Sequence, residues 1–390
     1  MERCDMTTQS VLHAVQRFLV NVVILVLVSV LMVVVAELII RWRLAIPSDY
    51  LKKIVQIDTS LVPAKRLRPG LDTKFRGAYR EFQFQVTTDT NGFRVTAPKE
   101  MNARLKPEIV ILGDSQTFGV GVDDENTYAS ALSGLIGRPV LNTGCSGYNN
   151  YEELALARSI ISYLKPECLV LAFFAGNDPY ENYRETSSVT SEVFSENTGS
   201  MSAKIKNWLS KKSAIYNLLI RLRRYGWIND LFLRTGLVQD TPPAELEIFT
   251  NPPSEHAQVF WEATRKPILD LAGLCRAHDI EFMVLFIPDR YQVEDSYWRQ
   301  WVQKYRLDAS LYDLDAPNKY MQDLCSKNGI KFLDVTPKLR TEQLSGISMY
   351  WKIDNHLSPE GHKVVAENMA TVIGRRSVGE VTTVDAEQGH

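Results

Sequence analysis

The stretch Ile109-Val110-Ile111-Leu112-Gly113-Asp114-Ser115-Gln116-Thr117-Phe118-Gly119 decides the reading of this chain. Four large apolar residues in a row, three of them β-branched, form the short run expected of a strand buried on both faces. The run ends at Gly113, and polar residues follow at once. A serine in so tight a strand-to-helix turn exposes its hydroxyl and can lend its own backbone N–H to an anion. Alone, Gly-Asp-Ser is a weak signal, because turns favour these residues.

Outward from this strand the pattern alternates. Tyr128 to Ile136 reads as a helix, Pro139 to Leu141 as a short strand, Tyr151 to Leu164 as a helix and Cys168 to Phe174 as a third apolar strand. Further on, Val259 to Ala277 is a helix, Phe282 to Ile287 a fourth strand, Lys319 to Ser326 a helix, Phe332 to Val335 a fifth strand and Glu360 to Ile373 the last helix. Alternating β and α units predict a parallel sheet covered on both faces. Ligands of such sheets bind beyond the carboxyl ends of the strands. The residues that follow the strands are therefore the informative ones.

Composition fits this class. The chain has 390 residues, 45% hydrophobic and 23% charged, with a net charge of −2. That is globular composition, and the charge gives no case for a nucleic-acid partner. Five scattered cysteines (Cys4, Cys145, Cys168, Cys275, Cys325) form neither a disulfide framework nor a CxxC pair, and the six histidines show no metal-binding spacing. No metal or cofactor is expected.

The N-terminal part reads differently. Phe18 to Ala36 runs 19 residues without a charge before Glu37, and Leu38, Ile39 and Ile40 follow before Arg41 and Arg43. At 1.5 Å per residue this spans ~29 Å, close to the ~30 Å hydrocarbon thickness. A signal peptide ending near Val34-Val35-Ala36 is the alternative, but signal apolar cores run only ~7–15 residues. Residues 18–40 are expected to be an uncleaved transmembrane helix behind a flank at 1–17. Lys and Arg counts alone would keep the C-terminal domain inside, although long domains cross despite flanking charge.

Residues 44–104 connect anchor and main domain. Phe82, Phe84 and Val86 alternate with polar residues, and Asn91-Gly92 precedes Phe93-Arg94-Val95. This predicts a hairpin turning at Asn91-Gly92 on the domain edge. The main domain is expected over 105–374, with an insertion at 181–258 and a disordered tail at 375–390. Residues 187–202 read as a flexible loop. Residues 204–234 carry eight basic residues against one acid, Asp230. Ile215, Leu218, Leu219 and Leu222 fall at helical spacing after Ser213, a natural cap. Two readings stay open: a basic amphipathic helix on the membrane or over the site, or a helix packed on its own domain.

Four blocks follow strand ends or precede the last helix: Gly113-Asp114-Ser115; Asn142 through Gly147; Gly176-Asn177-Asp178; and Asp354-Asn355-His356 before the Ser358-Pro359 helix start. In this order they resemble the SGNH/GDSL hydrolase superfamily, over ~108–182 and ~256–374. The resemblance implies a three-layer α/β/α flavodoxin-like SGNH fold with a parallel five-stranded sheet, added to the N-terminal transmembrane helix. It implies Ser115 as nucleophile, His356 as base and Asp354 as its orienting partner. The backbone N–H groups of Ser115 and Gly147 (rather than Gly144) and the amide of Asn177 would form the oxyanion hole. Many members have Asp-x-x-His, whereas here Ile353 stands three before His356 and Asp354 two before. That spacing resembles membrane-associated, exopolysaccharide-linked branches of bacterial origin. His362, inside the last helix, is expected to pack locally, and Asp114 and Asp178 to stabilise turns.

The resemblance points to an anchored serine esterase removing acetyl groups from cell-envelope or exported polysaccharide. An O-acetyltransferase with the same triad, served by another membrane protein of a polysaccharide-modification system, and a non-catalytic SGNH-fold subunit are the alternatives. Expected partners are an acylated carbohydrate and membrane lipid. The implied substrate argues for a single-pass protein of the cytoplasmic membrane with its catalytic domain outside. Tyr350 and Trp351, beside the base, suit stacking on a sugar ring, although core packing is the commoner fate of such aromatics.

Overall fold

In a computed structural model, residues 2–43, 53–77, 81–98, 106–187, 205, 208–209, 212–222 and 242–374 are described. The predicted loop at 187–202 (all but its first residue) and the tail at 375–390 lie outside them. A long helix, α1 (Glu2–Arg43), opens the chain. Two antiparallel pairs follow: β1 (Val55–Ile57) with β2 (Lys65–Leu67), and β3 (Asp72–Arg76) with β4 (Gln83–Thr87).

The domain proper begins with β5 (Ile109–Gly113) and the short α2 (Ser115–Phe118). Next come α3 (Tyr128–Ile136), β6 (Val140–Asn142), α4 (Asn150–Leu164), β7 (Cys168–Phe174), α5 (Asp178–Ser187) and α6 (Ala214–Leu222). Then α7 (Glu255–Ala277), β8 (Glu281–Ile287), α8 (Arg290–Val293), α9 (Asp295–Tyr305), α10 (Ala316–Lys327), β9 (Lys331–Asp334), α11 (Thr336–Leu344) and α12 (Pro359–Ile373) complete the chain. Strands β6-β5-β7-β8-β9 form one five-stranded sheet, every pair parallel.

Alternation along the strands builds two cores. Val110, Leu112, Leu169, Leu171, Val284 and Phe286 face α4, α7 and α10. Ile109, Ile111, Val170, Met283 and Leu285 face α3, α11 and α12. A strand buried on both faces must be apolar throughout, which is why these runs were legible. The result is the α/β/α layering and sheet expected from the sequence.

The connecting region contains the expected edge hairpin and adds a pairing that the sequence did not predict. β4 pairs backwards with β3, Phe84 opposite Phe75. Asn91-Gly92 does make a tight turn, with Gly92 at φ +79° and its N–H on the Asp89 carbonyl at 3.2 Å. Beyond it the chain returns through one bridge, Thr88 to Arg94, and Arg94 also bridges to Asn142 on the sheet edge. Asp-Thr-Lys-Phe-Arg buries only Phe75, so β3 carried no apolar signal. Helices α8, α9 and α11, which the sequence pattern does not predict, lie between β8 and α12 in chain order.

Candidate active site

The turn after β5 is dictated by crowding. A side chain on Gly113 would lie 1.9 Å from Thr117 Oγ1, so only glycine lets the chain bend here. Asp114 caps α2, its Oδ1 accepting the Gln116 N–H at 2.8 Å. Ser115 is thereby fixed as the first helical residue. Asp114 Oδ2 accepts from the Ser115 hydroxyl at 3.4 Å and from the Asn177 amide at 3.2 Å. One carboxylate oxygen thus gathers two of the predicted site residues. Asp114 does more than stabilise a turn. Burial raises its carboxyl above the ordinary range, against hydrogen bonds from Gln116 and Asn177 and the nearby charge of His356.

The loop after β6 supplies the glycines. Gly144 is committed to packing: its N–H donates to Asn142 Oδ1 at 3.0 Å, and an added Cβ would lie 2.2 Å from Phe118 N. Gly147 sits at φ +78°, its carbonyl held by Lys65 Nζ, while its N–H has no acceptor among the described residues. Lys65 is in turn paired with Glu152 at 2.9 Å. After β7, Gly176 leaves no room for a side chain, which would lie 2.5 Å from Asp289 Oδ2. Asn177 follows. Asp178 closes the turn as expected, its Oδ2 accepting from Phe174 N–H at 2.9 Å.

The fourth block is a loop folded on itself. Tyr350 bridges to Leu357, and Trp351 N–H donates to the His356 carbonyl at 3.0 Å. His356 Nδ1 is hydrogen-bonded to Asp354 Oδ1, which also accepts the His356 backbone N–H at 3.0 Å. Burial alone would raise the Asp354 carboxyl, but hydrogen bonding and charge from His356 hold it below the ordinary range. Burial likewise pushes the imidazole down, yet Asp354 and the charge of Asp114 hold it above its usual value. A spacing of two therefore suffices for the pair to meet.

Three braces fix that loop. The Gln116 side chain donates to the Asn355 carbonyl at 3.2 Å and accepts the Leu357 N–H at 3.1 Å, so it grips the main chain on both sides of His356. Glu81, beside β4, accepts the N–H groups of Ile353 and Asp354, each at 2.9 Å. Asn355 donates to Asp289 at 2.8 Å, and Arg290 donates to the carbonyls of Trp351 at 2.9 Å and Lys352 at 3.0 Å. Burial pushes the Asp289 carboxyl up to about 7, against hydrogen bonds that include those from Tyr291 N–H and Asn355.

Beneath the site lies a buried polar network. Asn150 donates to Glu153 at 2.8 Å and to Asp178 at 3.1 Å, and Asn182 links Asn150 to Thr264. Burial first, then neighbouring negative charge (Asp178 and Asp114 beside Glu153, Asp114 beside Asp178), raises both well above the ordinary range. Among the described residues, no three His, Cys, Asp or Glu side chains are grouped to hold a metal ion.

The structure thus brings Ser115, Asn177 and Asp114 together by direct contact, pairs Asp354 with His356, and links the two groups through Gln116. Among the described residues, the Gly147 N–H is left without an acceptor. The Ser115 hydroxyl bonds Asp114, and among the described residues no Ser115–His356 hydrogen bond is formed. Such bonds are commonly long or misaligned without substrate. His362 packs in the helix, accepting Tyr128 N–H at 3.2 Å, and burial lowers it to about 3. Tyr350 is buried with its hydroxyl on the Pro288 carbonyl at 2.6 Å, so it is removed from any sugar contact. Trp351 packs on Phe82 with ring centroids 5.1 Å apart.

A parallel α/β/α sheet with these four blocks at its carboxyl edge is like the fold of SGNH hydrolases. Residues 249–388 match the family model described as SGNH hydrolase-like domain, acetyltransferase AlgX. That segment holds Asp354 and His356 but not Ser115, Gly147 or Asn177. No curated protein matches the chain. Among solved structures, a catalytic mutant of Axe2, an acetylxylan esterase from Geobacillus stearothermophilus, is 14% identical with a TM-score of 0.38, over 69% of this chain and 94% of that one. TesA is 14% identical with a TM-score of 0.35, over 68% of this chain and 97% of that one. The acetyl xylan esterase AlAXEase is 14% identical with a TM-score of 0.36, over 68% and 100% respectively.

Proposed function

We propose that the chain is a membrane-anchored SGNH-type serine esterase that deacetylates cell-envelope or exported polysaccharide. The observation that carries this reading is the Asp354–His356 pair, hydrogen-bonded and braced by Gln116 beside Ser115. With Nδ1 engaged by Asp354, His356 presents Nε2 as the base. In this reading the Ser115 hydroxyl leaves Asp114 for that nitrogen when substrate is bound. Ser115 Oγ attacks the acetyl carbonyl as its proton passes to His356. The oxyanion meets the Ser115 and Gly147 N–H groups and the Asn177 amide, which leaves Asp114 for this stronger partner. His356 then gives this proton to the departing sugar oxygen, which leaves as a hydroxyl. Water attacks the acyl-enzyme by the reverse sequence and releases acetate.

Helix α1 contains a stretch, Gln16–Trp42, of 27 residues and mean hydropathy 3.2, long and apolar enough to cross a membrane. In this reading it is the single span of a cytoplasmic-membrane protein, with the catalytic domain on the outer side facing an acylated carbohydrate. The description of the matching family as an acetyltransferase favours one second reading, in which a sugar hydroxyl replaces water and another membrane protein supplies the acetyl group. Turnover of p-nitrophenyl acetate by the full chain in detergent tests the chemistry. Added oligosaccharide separates the readings: acetylated sugar supports transfer, acetate alone supports hydrolysis, and no turnover with any acetyl ester overturns both.

A further inference from the structure

The insertion returns to the anchor. At the far end of α1, Glu37 accepts the Ala214 N–H at 2.7 Å, the Ile215 N–H at 3.0 Å and the Ser213 hydroxyl at 3.1 Å. Ser213 Oγ in turn accepts the Tyr216 N–H at 3.1 Å. The first turn of α6 is capped by its own serine and by a carboxylate from another helix, where the helix dipole favours negative charge. Arg41 completes the joint, pairing with Glu37 at 2.8 Å and donating to the Lys212 carbonyl. Side chains from Phe18 to Val35 are exposed along α1, and cover begins only at Ala36, Glu37 and Ile40.

The position of this joint sets its depth. Taking α1 as a membrane span, on which this inference rests, Phe18 to Ala36 fills the ~30 Å hydrocarbon layer. Glu37 then stands at the boundary with the headgroups, and α6 leaves α1 at that level. The residues around α6 suit the boundary. Leu219 and Ile220 are each 38% exposed, Trp208 62% and Ile205 49%. The sequence adds Lys204, Lys206, Lys211 and Lys212 within nine residues. Exposed apolar and Trp side chains beside a cluster of lysines match the acyl boundary and the anionic headgroups above it.

We infer that α6 is an interfacial membrane helix, pinned to the end of the anchor by Glu37 and resting, with Ile205 and Trp208 before it, on an anionic lipid surface. The insertion leaves the domain through α5, whose first residue follows Asn177. The catalytic domain is thus held to the bilayer at a second point, with the site's third loop at the root of that attachment.

The test uses the full chain, with Cys4→Ser, in nanodiscs containing phosphatidylglycerol. Spin labels at Trp208→Cys and Leu219→Cys are compared with Leu25→Cys in α1 and Tyr163→Cys on the exposed domain surface. Collisions with oxygen and with a water-soluble nickel chelate report depth. Labels at 208 and 219 should collide severalfold more with oxygen than with nickel, between the values at 25 and 163, and Glu37→Ala should move both towards the value at 163. Nickel access equal to that at 163, or shielding from both reagents by a protein partner, overturns the interfacial helix while leaving the span intact. Nickel access at 25 overturns the span and this inference together. Unchanged depth in Glu37→Ala overturns the pinning role.

Discussion

Gln116 holds His356 by the main chain on either side of it, accepting the Leu357 N–H at 3.1 Å and donating to the Asn355 carbonyl at 3.2 Å. Since Gln116 directly follows Ser115, one side chain ties the Ser115 turn to the His356 loop. Gln116→Met keeps the shape and loses both bonds. We expect kcat to fall roughly 10–100-fold, as for a misplacement of about 1 Å, with KM little changed and the protein folded. Acetyl-ester kinetics beside circular dichroism check this; full activity in Gln116→Met would show that the brace is dispensable.

Activity should rise with pH as His356 loses its proton, because only the neutral imidazole accepts the Ser115 proton. Asp354 and Asp114 outweigh burial and hold the imidazole above its ordinary 6.5. The midpoint of the kcat/KM rise should therefore lie above 6.5, and Asp354→Asn should lower it. That variant should also lose roughly 10⁴-fold in kcat, through the wrong tautomer. A midpoint unmoved by Asp354→Asn would detach Asp354 from the base.

In the proposed mechanism Asn177→Ala removes an oxyanion donor. We expect a loss of ~100–1,000-fold in kcat with KM little changed, since the amide bonds the oxyanion only in the transition state. A loss confined to KM would make Asn177 a substrate-binding residue instead.

Arg94 shows what local reading cannot reach. It is 1% exposed, pairs with Asp124 at 2.9 Å, and donates to the carbonyls of Gly119 at 2.7 Å, Gln85 at 2.8 Å and Val122 at 2.6 Å. Arg94→Met leaves Asp124 buried without its cation and should cost about 3–5 kcal/mol. Urea unfolding measures it, and a loss under about 1 kcal/mol would contradict this role.

The sheet was legible because strands buried on both faces are apolar throughout, and the candidate site blocks were legible because each stands at a strand end or a helix start. The polar strand β3 gave no such sign, and Arg94 read only as part of a hairpin on the domain edge. Gln116 and Glu81 act on backbone groups 239 and 272 residues away, so nothing nearby in sequence marks them. Glu37 read as an interruption of an apolar run, because its partners at 213–215 lie beyond the whole of the sheet's first half.

Ser115 is the residue on which the proposed chemistry depends most directly. A fluorophosphonate probe applied to the full chain should label Ser115 alone, as located by peptide mass spectrometry, and Ser115→Ala should abolish both labelling and acetyl-ester turnover. Labelling that persists in Ser115→Ala, or that falls on Ser146, would contradict the assignment of the nucleophile and with it the mechanism built on His356 and Asp354.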